Sequence, residues 1–124
     1  MRCVKSHWMQ ADSKIVTKKS ILLAYQLLRG MEPFCDWKLP LRVHTKTVND
    51  HDMYGCFEDD PHTITISTAR VWDVNQLVAT VAHEMIHLHQ SKLKILSEDS
   101  PHDAFFMNCA RQVCVNLGFD KENF

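Results

Sequence analysis

Three observations predict an α+β domain: helix-period apolar stripes near both ends of the chain, alternating β-forming runs between them, and a capped helix that follows those runs. The expected order is an N-terminal helix, a small and mainly antiparallel sheet, a motif helix and a C-terminal helix. The 124 residues contain no linker, internal repeat or low-complexity stretch, so residues 1–124 read as one domain. That length buries a modest core without disulfide help.

Residues 1–12 show no clear periodicity. Residues 13–29 read as a helix, with Ser13 as cap and Ile21, Ala24, Tyr25 and Leu28 along one stripe. Gly30 is a natural stop and Pro33 lies just beyond it. Phe34, Trp37 and Leu39 are expected to pack a connecting segment onto the core. Residues 41–48 alternate and are rich in β-formers, which predicts a strand. Asn49 to Pro61 is polar and acidic, a loop or wide hairpin connection with room for a short strand at Met53–Phe57. Residues 62–68 set Ile64 and Ile66 against Thr63, Thr65 and Ser67, the pattern of a half-buried strand.

The motif helix follows, from about Val74 to Gln90, with Asp73 as N-cap and Gln76 as its capping-box partner. A loop around Ser97–Ser100 leads into the last helix. There Ser100 is the expected cap, Pro101 the first helical residue and Asp103 the N3 residue. Phe106, Cys109, Ala110, Val113 and Leu117 give that helix a buried face, and Gly118 is its expected C-cap.

The motif helix carries His83-Glu84-Met85-Ile86-His87. Residues four apart share one helix face, so His83 and His87 can point two imidazole nitrogens at one metal ion. Glu84, beside the first ligand, is then placed to act on a zinc-activated water as general base. Shuffling this composition yields such a pentad on the order of 0.02 times. An amphipathic helix with two surface histidines is the plainer alternative. The helical projection disfavours it: Thr80, His83, Glu84 and His87 form one arc, while Leu77, Val78, Val81, Ala82, Met85 and Leu88 fill the adjoining side.

A catalytic zinc site needs a third protein ligand. A third histidine at the metzincin spacing is missing, because that position is Leu93. Glu98 sits in an expected loop. His102 is favoured, since it falls in the first turn of the last helix and a neutral imidazole suits zinc. Tyr54, His62 and His89 are unranked candidates for an oxyanion donor. His7, His44 and His51 read as surface or loop residues.

Composition bounds the function. Net charge is −1, which favours neither nucleic acid nor membrane. The charge is uneven, with Arg2, Lys5, Lys14, Lys18, Lys19 and Arg29 facing one acid, Asp12, in residues 1–30. A solvated helix face is the expected reading of these basic residues, and a DNA contact the other. Asp50, Asp52, Glu58, Asp59 and Asp60 make residues 49–60 acidic. No apolar run is long enough to span a membrane, and no signal peptide is recognised. Five cysteines (Cys3, Cys35, Cys56, Cys109, Cys114) without C-x-x-C spacing predict reduced thiols and a cytoplasmic protein. Cys56 alone lies in an expected active-site loop, where a small buried hydrophobe is the reading preferred over a ligand.

The order helix, sheet, His83-Glu84-x-x-His87 and then, fifteen residues after His87, His102-x-x-x-Phe106 resembles the SprT-like zinc metallopeptidase family. That family includes Spartan-type proteases, which cut proteins crosslinked to DNA. Its pattern is H-E-x-x-H followed by H-G-x-x-F; His83, Glu84, His87, His102 and Phe106 match, and Asp103 stands in place of the glycine. The resemblance covers roughly residues 13–118. It implies a zincin-like fold in minimal form, one catalytic zinc (Zn2+) held by His83, His87 and His102, and a protein or peptide substrate. The C-terminal zinc ribbon and basic extension of larger members are absent, so DNA-associated substrates are the weaker implication. By the same resemblance, the 62–68 strand is expected to pair with an extended substrate.

Two other readings compete. Gly55-Cys56 resembles the cysteine motif of peptide deformylases, but that family's glycine-rich N-terminal motif is missing and the Cys-to-His spacing is short. A non-catalytic or weakly catalytic zinc-binding module of the same fold, regulatory or DNA-associated through the basic N-terminal helix, is the other, and the intact Glu84 argues against it.

Overall fold

Thr17 starts the first helix because two short hydroxyl side chains close a reciprocal cap there. The Ser20 amide donates to Thr17 Oγ1 (3.0 Å), and the Thr17 amide donates to Ser20 Oγ (2.9 Å). Helix α1 therefore spans Lys18–Arg29, five residues later than the expected start. Ser13 does not cap it. The Ser13 amide instead donates to the carbonyl of Thr68 (2.9 Å), tying the preceding segment to the end of the sheet. The computed structural model describes residues 12–124, so the expectations placed on Arg2, Cys3, Lys5 and His7 lie outside the described residues.

The α1 stripe is as read: Ile21, Ala24, Tyr25 and Leu28 are all buried. Burial pushes the Tyr25 phenol up to about 12, so it stays protonated and donates to the Pro40 carbonyl (2.5 Å). Gly30 caps the helix, and a 3₁₀ turn at Phe34–Asp36 buries Phe34 beneath the returning chain. Lys18 and Lys19 are exposed on α1, as a solvated helix face requires, and Lys14 is exposed in the segment before it.

Three strands form one sheet: β1 His44–Val48, β2 Gly55–Glu58 and β3 Thr63–Ser67, in the order β1-β3-β2. The sheet is mixed rather than mainly antiparallel. β1 runs parallel to β3, with His44 opposite Thr63, and β2 runs antiparallel to β3, with Gly55 opposite Ile66. The chain passes from β1 to the far side of the sheet before the 59–62 hairpin brings it back into the middle. That path corrects the reading of β3 as half-buried, because all five of its residues are buried. A central strand cannot leave one face polar and wet when loops cover it. Ser67 Oγ, on that face, donates to the Asp50 carbonyl (2.6 Å) and accepts from the amides of Asp50 and Ala69 (each 3.2 Å).

Helix α2, Val74–Lys92, opens on the expected capping box of Asp73 and Gln76. It is the middle of the molecule, packing on α1, on β2 and β3, and on the last helix. Helix α3 spans Ala104–Leu117, with Phe106, Cys109, Ala110, Val113 and Cys114 buried. Its N-cap is Asp103, whose Oδ1 accepts from the Phe106 amide (3.0 Å). The helix thus starts later than a Ser100 cap would have it, and His102 lies just before the cap instead of in the first turn. Gly118 ends α3 at φ 78°, a left-handed conformation that glycine adopts without a Cβ penalty. A 3₁₀ turn, Lys121–Asn123, follows.

Gly55 sets how closely the sheet approaches α2. A Cβ there would lie 2.8 Å from the Thr65 carbonyl oxygen and 2.9 Å from Thr80 Cγ2. Gly55→Ala is therefore expected to push β2 off α2 and destabilise the metal-free protein by about 1–3 kcal/mol. Urea denaturation measures this, and Thr80→Ser in the same chain should recover part of the loss. An unchanged midpoint in Gly55→Ala would show that the sheet yields freely.

Candidate metal centre

The i, i+4 spacing on α2 brings His83 and His87 together, with ring centroids 5.2 Å apart. His102 arrives from the turn before α3. Its Nε2 lies 3.1 Å from His83 Nε2 and 3.2 Å from His87 Nε2. Each of the three residues offers a ring nitrogen within 4.8 Å of the others, a group that could hold a metal ion. Tetrahedral Zn–N bonds of about 2.0–2.1 Å set the donor nitrogens about 3.3–3.4 Å apart. The two observed separations fall close to that spacing, so the residues fit a tetrahedral ion.

The surroundings keep His83 and His87 neutral. Burial pushes His83 down to about 4, aided by the charges His87 and His102 would carry and opposed by its hydrogen bond to Phe124. Burial likewise lowers His87. A metal ligand must be deprotonated, so neutral rings are the competent form. His83 Nδ1 sits 2.9 Å from the backbone oxygen of Phe124. That oxygen only accepts, so Nδ1 carries the proton and Nε2 keeps its lone pair. Phe106 makes the apolar wall of the cluster, with its ring 4.9, 4.8 and 4.6 Å from those of His83, His87 and His102.

Glu84 lies beside this group and lines a cleft of about 800 Å³ together with His83. Tyr54, Gly55 and Thr80 form part of the cleft's lining, as do Phe119 and Phe124 from the segment after α3. Glu84 is only 5% exposed, and burial pushes its carboxyl up to about 8. A buried carboxyl that titrates near neutrality thus lies at the cleft next to three ring nitrogens that could hold a metal ion.

The structure sorts the remaining candidates. Tyr54 is at the cleft; its hydroxyl oxygen accepts from Arg70 Nη2 (2.8 Å), and the Arg70 guanidinium lies 4.4 Å over its ring. His62 is elsewhere, 3.0 Å from Asp59 and stacked on Phe57 beside a separate groove with Arg42 and His44. His89 is buried and stacked on Trp37, centroids 4.4 Å apart. Neither His62 nor His89 lines the cleft. Cys56 and Glu98 stand outside the three-histidine group. Cys56 is on β2, its thiol pushed up chiefly by burial, and Glu98 is an exposed loop residue.

The strand expected to meet a substrate also changes. β3 is flanked by β1 and β2, so it has no free edge, whereas the second edge of β2 is unpaired among the described residues. The Ser67 amide donates to the Tyr54 carbonyl (2.8 Å), which makes Tyr54–Ser67 a hydrogen-bonded pair. Antiparallel pairs alternate, so the backbone groups of Gly55 and Phe57 turn away from β3. The nearness of Phe124 to His83, 41 residues away in the chain, has no local sequence signal at all.

No helix among the described residues is long and apolar enough to cross a membrane. Compared with known proteins, the chain matches no family model, no curated protein and no solved structure.

Proposed function

We propose that this chain is a zinc-dependent metallopeptidase of the SprT-like, zincin kind. The observation that carries the reading is the convergence of His102, from a distant segment, on the His83/His87 pair beside the buried carboxyl of Glu84. His83, His87 and His102 would hold the zinc, which when bound would supply Lewis acidity to a water and a peptide carbonyl. Glu84 takes the proton from the attacking water and delivers it to the leaving amine. The outward backbone groups of Gly55 and Phe57 pair with an extended peptide, which explains why the cleft borders β2.

Tyr54 is the oxyanion donor in this scheme. Arg70 donates to its oxygen, which leaves the phenolic hydrogen free and polarised for a substrate oxygen. The open cleft and free strand edge favour protein or peptide substrates. A DNA partner rests on the resemblance and on exposed Lys14, Lys18 and Lys19 alone.

The test is hydrolysis of an unfolded protein such as casein by zinc-loaded protein. Cleavage is expected to stop with a chelator and return with added zinc, at one zinc per chain. Cleavage that survives the chelator, or a chain that binds no zinc, rejects the reading.

A further inference from the structure

Gln90 has no part in the hydrolytic scheme, yet it is fully buried on α2, one turn beyond His87. Burying a primary amide is costly unless its polar atoms are hydrogen-bonded. Here they are. Gln90 Oε1 lies 2.7 Å from His87 Nδ1, while Gln90 Nε2 donates to the Pro101 carbonyl (3.0 Å) and to Asp103 Oδ1 (3.3 Å). Pro101 and Asp103 are the two neighbours of His102 in the chain. One side chain therefore touches the second helix-borne histidine and both sides of the third.

The chemistry of these partners fixes which way the amide points. The Pro101 carbonyl and the Asp103 carboxylate only accept, so they must face the NH2 group. Turning the amide over would set its oxygen against two others. Asp103 cannot swing away freely, because the same Oδ1 caps the Phe106 amide (3.0 Å). Oε1 is thereby committed to His87, and an amide oxygen can only accept. His87 Nδ1 must hold the ring proton. Its Nε2 then presents a lone pair toward His102 Nε2, 3.2 Å away.

We propose that Gln90 is a positioning residue of the metal centre. It fixes the tautomer of His87 and, through the same amide, ties the His102 segment to α2. The inference rests on the metal-centre reading above. A leucine at this position keeps the packing and loses both functions. A glutamate still accepts from His87 but sets a carboxylate against Asp103 and the Pro101 carbonyl.

The experiment has two readouts. The first is the tautomer of His87 in ¹⁵N-labelled, metal-free protein, read from two-bond ¹H–¹⁵N couplings at a pH where the rings are neutral. The second is zinc affinity by competition with a chromophoric chelator. Wild type is expected to carry the His87 proton on Nδ1. Gln90→Leu should give a tautomer mixture and a zinc affinity lower by about 10–100-fold. Gln90→Glu should keep the Nδ1 proton while still losing affinity, because only the tie to the His102 segment is cut. A merely structural role would move neither the tautomer nor this split between the variants.

A wild-type His87 protonated on Nε2 overturns the proposal without any variant, as does a Gln90→Leu protein with unchanged tautomer and affinity. If Gln90→Leu fails to fold, the wild-type spectrum and Gln90→Glu decide. Failure of the underlying reading is visible separately, as a wild type that binds no zinc whatever its His87 tautomer.

Discussion

His102→Ala is expected to lower zinc affinity by at least about 100-fold, the upper end of what losing a mere supporting contact costs. The metal-free fold should survive almost unchanged. His102 is exposed and precedes the cap of α3, so its side chain holds no secondary structure in place. Asp103 keeps its hydrogen bond to the Phe106 amide, and Gln90 keeps its bond to the Pro101 backbone carbonyl, which no side-chain change at 102 removes. The metal-free melting midpoint should therefore shift by no more than about 0.5 kcal/mol of stability. His87→Ala should behave differently, because its ring is buried against Phe106 and would leave both a cavity and an orphaned Gln90 oxygen. Chelator competition and thermal melts on the two variants separate the effects. Full zinc affinity in His102→Ala would make this histidine a bystander, and the third donor would have to be sought at Cys56 or Glu98.

What could be read from the sequence follows from where each interaction sits along the chain. The start of α2 was legible because Asp73 and Gln76 close their cap within four residues, and the His83/His87 face because helical geometry alone sets it, whereas the helix runs to Lys92, past the expected end at about Gln90. Gly118 was legible as the end of α3 for the same local reason. Where two caps compete locally, the outcome turned on tertiary partners. Ser13 gave up α1 to Thr17 because its amide is bound to Thr68, and Ser100 gave up α3 to Asp103, which also serves Gln90. Strand order is non-local, so alternation in residues 62–68 could indicate a strand but not that β1 and β2 would bury both its edges. His102 was singled out through the spacing of a resembled pattern, since no local periodicity relates it to His87. Gln90 looked like one more polar residue near the end of a helix, and only the fold reveals that its amide is buried.

Glu84→Gln is expected to lower peptide hydrolysis by about 10²–10⁴-fold, the usual contribution of a positioned proton acceptor, while zinc stays bound at one per chain. The variant should also change the metal-free protein in a way that needs no substrate. Glu84 titrates at about 8 in the fold against an ordinary 4.5, so between those values the folded chain holds a proton that the unfolded chain has lost. Stability from this group is therefore lost as pH rises from 4.5 to 8. His83 works the other way: its value falls from 6.5 to about 4, so its contribution grows as pH rises through that window and is complete only about one unit above 6.5, where the unfolded imidazole has lost its proton. His87 and His89 are also lowered by burial and act in the same direction as His83. Below pH 6.5 the carboxyl and the imidazoles oppose one another. Above it the imidazoles still add stability as their unfolded-state protons leave, so the Glu84 contribution is the difference between wild type and Glu84→Gln. Between pH 6.5 and 8 the metal-free wild type should then lose about 1.5 kcal/mol relative to Glu84→Gln. Urea denaturation at the two pH values measures both slopes. A wild type that follows the variant over this range would mean that Glu84 is already ionised in the metal-free cleft, and the burial that makes it a base poised near neutrality would not operate. A wild type that loses this stability relative to a hydrolytically active Gln variant would instead leave the buried carboxyl real but pass the proton transfer to another group at the cleft, with Tyr54 the first to replace.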